Sequence, residues 1–160
     1  MDIEPTSPPP FTVTKSQTVW SCRWYSVRQD QLQLSDGSTA EYNIVQKGPA
    51  VFVVPITADG DVVLIRSYRH PVQAWCWEVP AGSLKPGQTA LEAAVDELRE
   101  EVGGTAESWQ DFGRYFSANG FCDEAFHVYL ATGVRLGTTA HEPLEIIEIH
   151  PTPIAQARHL

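Results

Sequence analysis

The sequence predicts an α+β sandwich, in which a sheet packs against one long helix. Three observations predict it. Several strand-like runs come before position 80, one helical segment follows, and further strand-like runs come after it. Strands grouped around a single helix, with no regular strand-helix alternation, argue against a βαβ repeat. At 160 residues, with 42% hydrophobic and 19% charged residues, the chain is long enough for one domain with a real core.

The elements follow in order. Residues 1 to about 15 read as a flexible tail and residues 16–160 as a single domain. The acidic, proline-rich start MDIEPTSPPP is not a secretory signal. Residues 20–34, WSCRWYSVRQDQLQL, are strand-like. The turn Ser35-Asp36-Gly37-Ser38 leads to a second strand over Ala40–Gln46. The apolar run Ala50–Ile56 is a buried strand, TADGD a turn, and Val62–Arg69 the next strand. Trp75–Val79 is a short strand ending at Pro80-Ala81-Gly82, and Pro86-Gly87 turns the chain toward the helix.

The helix spans Ala90–Val102. Thr89 is its N-cap, and Glu92 three residues on completes a capping-box pattern. Ala90, Leu91, Ala94, Val95, Leu98 and Val102 form an apolar stripe that faces the core, with Glu97 and Glu101 at its rim. Gly103-Gly104 ends the helix. Strands are expected at Trp109–Phe116, Ala125–Ala131 and Leu144–His150, with Pro151 and Pro153 closing the last and a short helix beginning at Ile154.

Charge and motifs narrow the function. A net charge of −9 argues against a general affinity for nucleic acid or anionic membranes, though not against a phosphorylated small molecule. No apolar run reaches the roughly 20 residues of a membrane span. The three cysteines are scattered, with no C-x-x-C pair, so a reducing cytoplasm is the expected location. The five histidines lack ligand spacing and read as structural or exposed.

Chemistry concentrates at the end of the helix. Glu97, Glu100 and Glu101 share one face, because positions i, i+3 and i+4 do. Three carboxylates there repel one another unless a cation sits among them, and hard cations such as Mg²⁺ take oxygen ligands. The alternative is a solvated acidic helix end. Against it, acids at a helix C-terminus oppose the macrodipole, at about 0.3–1 kcal/mol each. Asp96 and Glu100 add a like-charge i,i+4 pair, unfavourable by about 0.2–0.5 kcal/mol.

Residues 82–104 resemble the box of the Nudix hydrolases, G-x5-E-x7-R-E-U-x-E-E-x-G-U. Gly82 opens it, Glu97-Leu98 supplies E-U, and Glu100-Glu101-Val102-Gly103 supplies E-E-x-G. Gln88 stands for the first Glu, Asp96 for the Arg and Gly104 for the last apolar residue. Arg66-Ser67-Tyr68-Arg69 and Trp77-Glu78-Val79-Pro80-Ala81-Gly82 resemble signatures of the ADP-ribose pyrophosphatase branch. SANGFCDE at Ser117–Glu124 resembles a further branch segment, with Asn119 in place of a proline. The likeness covers about residues 20–155.

The resemblance implies an α/β/α sandwich with a mixed sheet, preceded by an N-terminal antiparallel strand region. It implies Mg²⁺-dependent hydrolysis, with Mn²⁺ as the alternative metal, of ADP-ribose or a related nucleotide sugar at the diphosphate. The Ala81 carbonyl, Glu97 and Glu101 would hold the metal, with Glu100 reaching a second ion. Arg69 and Glu78 would fix the diphosphate and sugar, and Glu145, or Glu142 in the same loop, would be the base. Branch members are commonly dimers with exchanged N-terminal strands, so Trp24 and Tyr42 would sandwich the adenine near Lys47 in a homodimer. Asp96 cannot steer the glutamates as the family's Arg does, which leaves Arg99 and Arg114 as candidates. A catalytically weakened nucleotide-binding or regulatory module is the competing expectation.

Overall fold

The computed structural model describes residues 8–141 and 146–160. They form two compact units, one comprising residues up to Pro49 with Arg114–Phe126, the other Ala50–Gly113 with His127–Leu160.

The first unit is built on an antiparallel sheet in the order β1 (Phe11–Ser21), β2 (Ser26–Leu34), β3 (Thr39–Gln46). The Ser35–Ser38 turn forms as the sequence predicts. Asp36 Oδ1 accepts the Ser38 N–H at 2.9 Å, and Gly37 takes φ 82°. Two expectations are corrected here. β1 starts at Phe11, inside the stretch read as tail, and pairs along its length with β2 from Phe11 against Leu34 to Ser21 against Ser26. All eleven of its residues are exposed, so no buried-face pattern marks it as a strand. The run 20–34 is not one strand either, because the chain reverses between Ser21 and Ser26. That reversal has no glycine, proline or asparagine to announce it.

Asp30 and Leu32 are the buried residues of β2. The Ser16 hydroxyl donates to the Asp30 carboxylate, and Arg28 donates to it from Nε at 3.1 Å and from Nη2 at 3.0 Å. The Ser16 bond, followed by the Arg28 bond and charge, holds the Asp30 carboxyl below its ordinary range, against the opposing effect of burial.

The second unit carries the core. Its strands are β4 (Ala50–Thr57), β5 (Asp61–Arg69), β6 (Ala74–Glu78) and β7 (Ala81–Ser83). The helix α1 (Ala90–Val102) follows, then β8 (Ser108–Phe116), β9 (Ala125–Val134), β10 (Ile147–Pro153) and the short α2 (Ile154–Ala157). Sheet order is β10-β5-β4-β9-β8, with β6 paired to β5 and β7 to β4. Residues 114–126, which include the end of β8 and the start of β9, are grouped with the first unit. Val51, Val53, Val63, Ile65, Tyr129 and Ala131 from the sheet meet Ala94, Leu98 and Val102 of α1 in one apolar core.

The helix has the predicted bounds and cap. Thr89 Oγ1 accepts the Glu92 N–H at 3.2 Å, and Glu92 Oε2 accepts the Thr89 N–H at 2.8 Å. Its buried face is turned from the predicted stripe. Leu91 and Val95 are exposed at 41% and 42%, whereas Ala93 and Glu101 are buried. Small Ala93 and Ala94 let the sheet approach that side, which carries Glu101 inward from the rim. The last strand runs through Pro151 and Pro153 instead of stopping before them. β10 lies at the edge of the sheet, paired only to β5, where a missing N–H can face away from the ladder. Among the described residues, no helix is long and apolar enough to cross a membrane.

Asp30 makes the acid response of this protein specific. Its depressed pKa contributes stability fully present above the unfolded value of about 4 and lost as pH falls through the folded value. Melting curves between pH 2.5 and 6 should show a shallower acid loss for Asp30→Asn than for wild type. Parallel curves would remove Asp30 from the account.

Candidate functional site

The site is built where β7 meets the C-terminal half of α1. β7 pairs with β4 as Ala50 with Ser83, Val51 with Gly82 and Phe52 with Ala81. Three residues, one of them glycine, are too few for sequence periodicity to register. The strand nevertheless brings two of the predicted carboxylates to one place. Glu101 Oε2 accepts the Ala81 N–H at 3.0 Å, with the side chain only 4% exposed. The Glu97 carboxylate lies against Gly82 so closely that any Cβ there would collide with it. A side chain at position 82 would have to push the Glu97 carboxylate aside.

The third carboxylate faces elsewhere. Arg99 donates to Glu100 Oε1 at 3.1 Å, and Lys85 Nζ lies 3.8 Å from the same oxygen. Arg99 also meets Asp96 Oδ1 at 2.9 Å. Arg99, one of the two candidate substitutes for an arginine at position 96, thus reaches Glu100. Two departures from the family box turn out to be partners. Gln88 Nε2 donates to Asp96 Oδ2 at 2.9 Å, while Gln88 Oε1 accepts the Lys85 N–H at 3.0 Å. The turn before the helix is therefore tied to the helix body. The third departure has a steric cause, since a Cβ on Gly104 would stand 2.7 Å from Leu98 Cγ.

Arg69 and Glu78 pair with each other. Arg69 Nε donates to Glu78 Oε1 at 2.8 Å and to Oε2 at 3.0 Å, and its Nη2 also meets Oε2. The bond to Glu78, and more weakly the field of Glu101, raise the Arg69 guanidinium pKa further above its usual range. In the first unit, the Lys47 N–H donates to Asp123 Oδ1 at 2.9 Å, and Lys47 Nζ pairs with Glu124 at 2.5 Å. Tyr42 donates its hydroxyl to the Gly120 carbonyl. Beside it, a cleft of about 470 Å³ is lined by Arg28, Tyr42, Ile44, Phe116, Phe121 and Cys122, among others. Sequence reading did not single out Phe116 or Phe121, which stand 37% and 58% exposed.

Trp24 is not on a strand. It sits in the reversal between β1 and β2, 63% exposed, with the Arg23 guanidinium 4.6 Å from its ring centre. Glu142 and Glu145, the expected bases, lie outside the described residues. His141, just before them, is held to the helix end, with Nε2 at 2.7 Å from the Glu101 main-chain oxygen.

Glu97, Glu101 and the Ala81 main chain make a set of oxygen donors of the kind a hard divalent cation takes. Among the described residues, no three acidic, histidine or cysteine side chains are gathered closely enough to hold a metal as they stand.

Comparison with known proteins bears on family and fold. A family profile described as NUDIX domain matches residues 46–160. The chain is 36% identical over 126 residues to an ADP-ribose pyrophosphatase of Mycobacterium tuberculosis, an alignment covering 78% of this chain and 61% of that protein. It is 31% identical over 140 residues to a methanol dehydrogenase activator of Bacillus methanolicus, covering 84% and 76%. It therefore spans less than two thirds of the mycobacterial relative's length. A crystal structure described as ADP compounds hydrolase shares the fold at a TM-score of 0.83 and 24% identity, covering 96% of this chain and 84% of that one.

The Gln88–Asp96 tie predicts a coupled pair of substitutions. Gln88→Glu sets one carboxylate against another and should lower stability by about 1 kcal/mol. Adding Asp96→Arg should recover most of that loss. Thermal unfolding of both single variants and the double variant measures the coupling, and simple additivity would show that the two residues act apart.

Proposed function

This chain belongs to the Nudix family, and we propose that it hydrolyses a nucleoside diphosphate joined to a second moiety, ADP-ribose or a related nucleotide sugar. Water adds across the P–O–P linkage and leaves two phosphate monoesters. The observation that carries the reading is the pair Glu97 and Glu101 held against Ala81 and Gly82, together with Arg69 clamped by Glu78. The name of the mycobacterial relative supplies the substrate class.

Glu97, Glu101 and the Ala81 carbonyl would hold Mg²⁺, or Mn²⁺ in its place, with Glu100 on a second ion after leaving Arg99 and Lys85. Such an ion neutralises diphosphate charge and acidifies a bound water. Arg69 binds the diphosphate, and Glu78 fixes the guanidinium plane so that little order is lost on binding. Glu145, or Glu142, takes the proton from water. Tyr42 and Trp24 receive the base by stacking, near Lys47, in a homodimer. The dimer is supported by β1, an eleven-residue strand with no buried residue and with Phe11, Val13, Val19 and Trp20 exposed. A cytoplasmic location suits the three free cysteines.

A second reading, a nucleotide-binding or regulatory module with weakened catalysis, is favoured by two observations. Glu100 is engaged by cations, and the Bacillus methanolicus relative is named an activator. Turnover of a nucleotide panel with and without Mg²⁺ separates the two.

Glu97→Gln and Glu101→Gln should each lower kcat by about 100-fold or more, since a catalytic metal supplies several kcal/mol. Wild-type kcat in either variant at saturating Mg²⁺ would remove the site. Trp24→Ala should raise KM for an adenine nucleotide sugar about 5-fold, the low end of a stacking contribution of about 1–3 kcal/mol. An unchanged KM would leave Trp24 outside the site.

A further inference from the structure

We propose that Lys85, Gln88, Asp96 and Arg99 form a latch on Glu100, and that Arg99 is the positioning residue that sets how much divalent cation is needed to open it. The latch rests on the cation site proposed above, with a first ion at Ala81, Glu97 and Glu101 and Glu100 left for a second. The residues close a ring of polar contacts. The Lys85 N–H donates to Gln88 Oε1 at 3.0 Å, and Gln88 Nε2 donates to Asp96 Oδ2 at 2.9 Å. Arg99 Nη2 lies 2.9 Å from Asp96 Oδ1 and donates to Glu100 Oε1 at 3.1 Å. Lys85 Nζ, 3.8 Å from the same Glu100 oxygen, brings the ring back to its start.

Adjacent residues of a helix point about 100° apart and do not ordinarily meet. Arg99 and Glu100 meet because Asp96, three residues before Arg99, draws the guanidinium across the helix surface. Asp96 and Glu100, spaced i,i+4, would otherwise repel each other. One guanidinium nitrogen serves both carboxylates, while Gln88 holds Asp96 by its other oxygen. Lys85 and Arg99 balance Asp96 and Glu100, so the ring is formally neutral with no metal in it. Glu97 and Glu101 lie instead against Gly82 and Ala81. Glu100 reaches a second divalent cation only by leaving both Arg99 and Lys85, so the two ions bind with unequal affinity. Both cationic side chains are more than half exposed, which keeps the latch weak enough to open. Free cation in the right range therefore loads the first position before the second.

Mn²⁺ titrated into the whole chain without nucleotide tests this, with free Mn²⁺ read by electron paramagnetic resonance. Wild type should take one ion tightly and a second more weakly. Arg99→Ala should tighten the second about two- to fivefold, the range for an exposed ion pair, and leave the first unchanged. Arg99→Lys, whose ammonium is able to bridge the same two oxygens, should bind both as wild type does. Glu100→Gln should keep the first ion and lose the second, and adding Arg99→Ala should then change nothing. Arg135→Ala removes a guanidinium from the Glu107 pair and leaves the ring intact. It should bind the second ion as wild type does, which separates a local latch from the loss of one positive charge.

Equal second-ion affinity in wild type and Arg99→Ala would overturn the latch. So would the same gain in Arg135→Ala or Arg99→Lys, or the absence of a second ion from both wild type and Arg99→Ala at millimolar Mn²⁺. A first ion that survives both Glu97→Gln and Glu101→Gln would overturn the cation site, and the latch with it. If those two variants lose the first ion while Arg99→Ala leaves the second unmoved, the cation site stands and the latch alone falls.

Discussion

Burying the Glu101 carboxylate against β7 is the constraint to which the rest of the site conforms. An ionised carboxylate at 4% exposure is costly unless it is hydrogen-bonded or paired. The Ala81 N–H is one partner, and it is available only because the chain forms a three-residue strand at that point. To bring Glu101 there, α1 turns its Ala93–Glu101 side to the sheet and leaves Leu91 and Val95 outside. The same rotation presses Glu97 onto Gly82, so a side chain at 82 would displace the carboxylate. Packing and site are therefore one decision. A helix rotated to bury Leu91 and Val95 would place Glu101 at the rim and release Gly82 from its constraint.

Electrostatics at the outer helix surface follow from that choice. Carboxylates crowd the end of a helix whose dipole disfavours them. Arg99 and Lys85 partly offset this by meeting Glu100, and Asp96 holds Arg99 in reach. Arg99 and Lys85 are more than half exposed and their carboxylate partners about one third, so each pair contributes little to stability on its own. Their effect is geometric. Gln88 draws the preceding turn onto Asp96, so the helix start, its middle and Glu100 belong to one linked set of polar contacts. Asp96, a misfit against the family box when taken alone, fits this set because its two partners, Gln88 and Arg99, are donors.

Much of this was legible in the sequence, for identifiable reasons. The bounds of α1 follow from Thr89, Glu92 and the Gly103-Gly104 stop, all local chemistry. The glutamate spacing points to a site because its alternatives are electrostatically poor. Other features depend on contacts distant in sequence. β1 has no buried face, β7 is too short for periodicity, and the 22–25 reversal lacks turn residues. The burial of Glu101 runs against its composition. His141 reads as one histidine among five until residues 137–141 meet the helix end.

The central claim is that Ala81, Glu97 and Glu101 form one divalent-cation site. Mn²⁺ titrated into isotope-labelled protein tests it most directly, because the paramagnetic ion broadens the resonances nearest to it. The account predicts that the amides of Ala81 and Gly82 and the side-chain resonances of Glu97 and Glu101 are the first to disappear, and that excess Mg²⁺ restores them. Broadening centred on another part of the chain, or none at these residues at millimolar Mn²⁺, would contradict it.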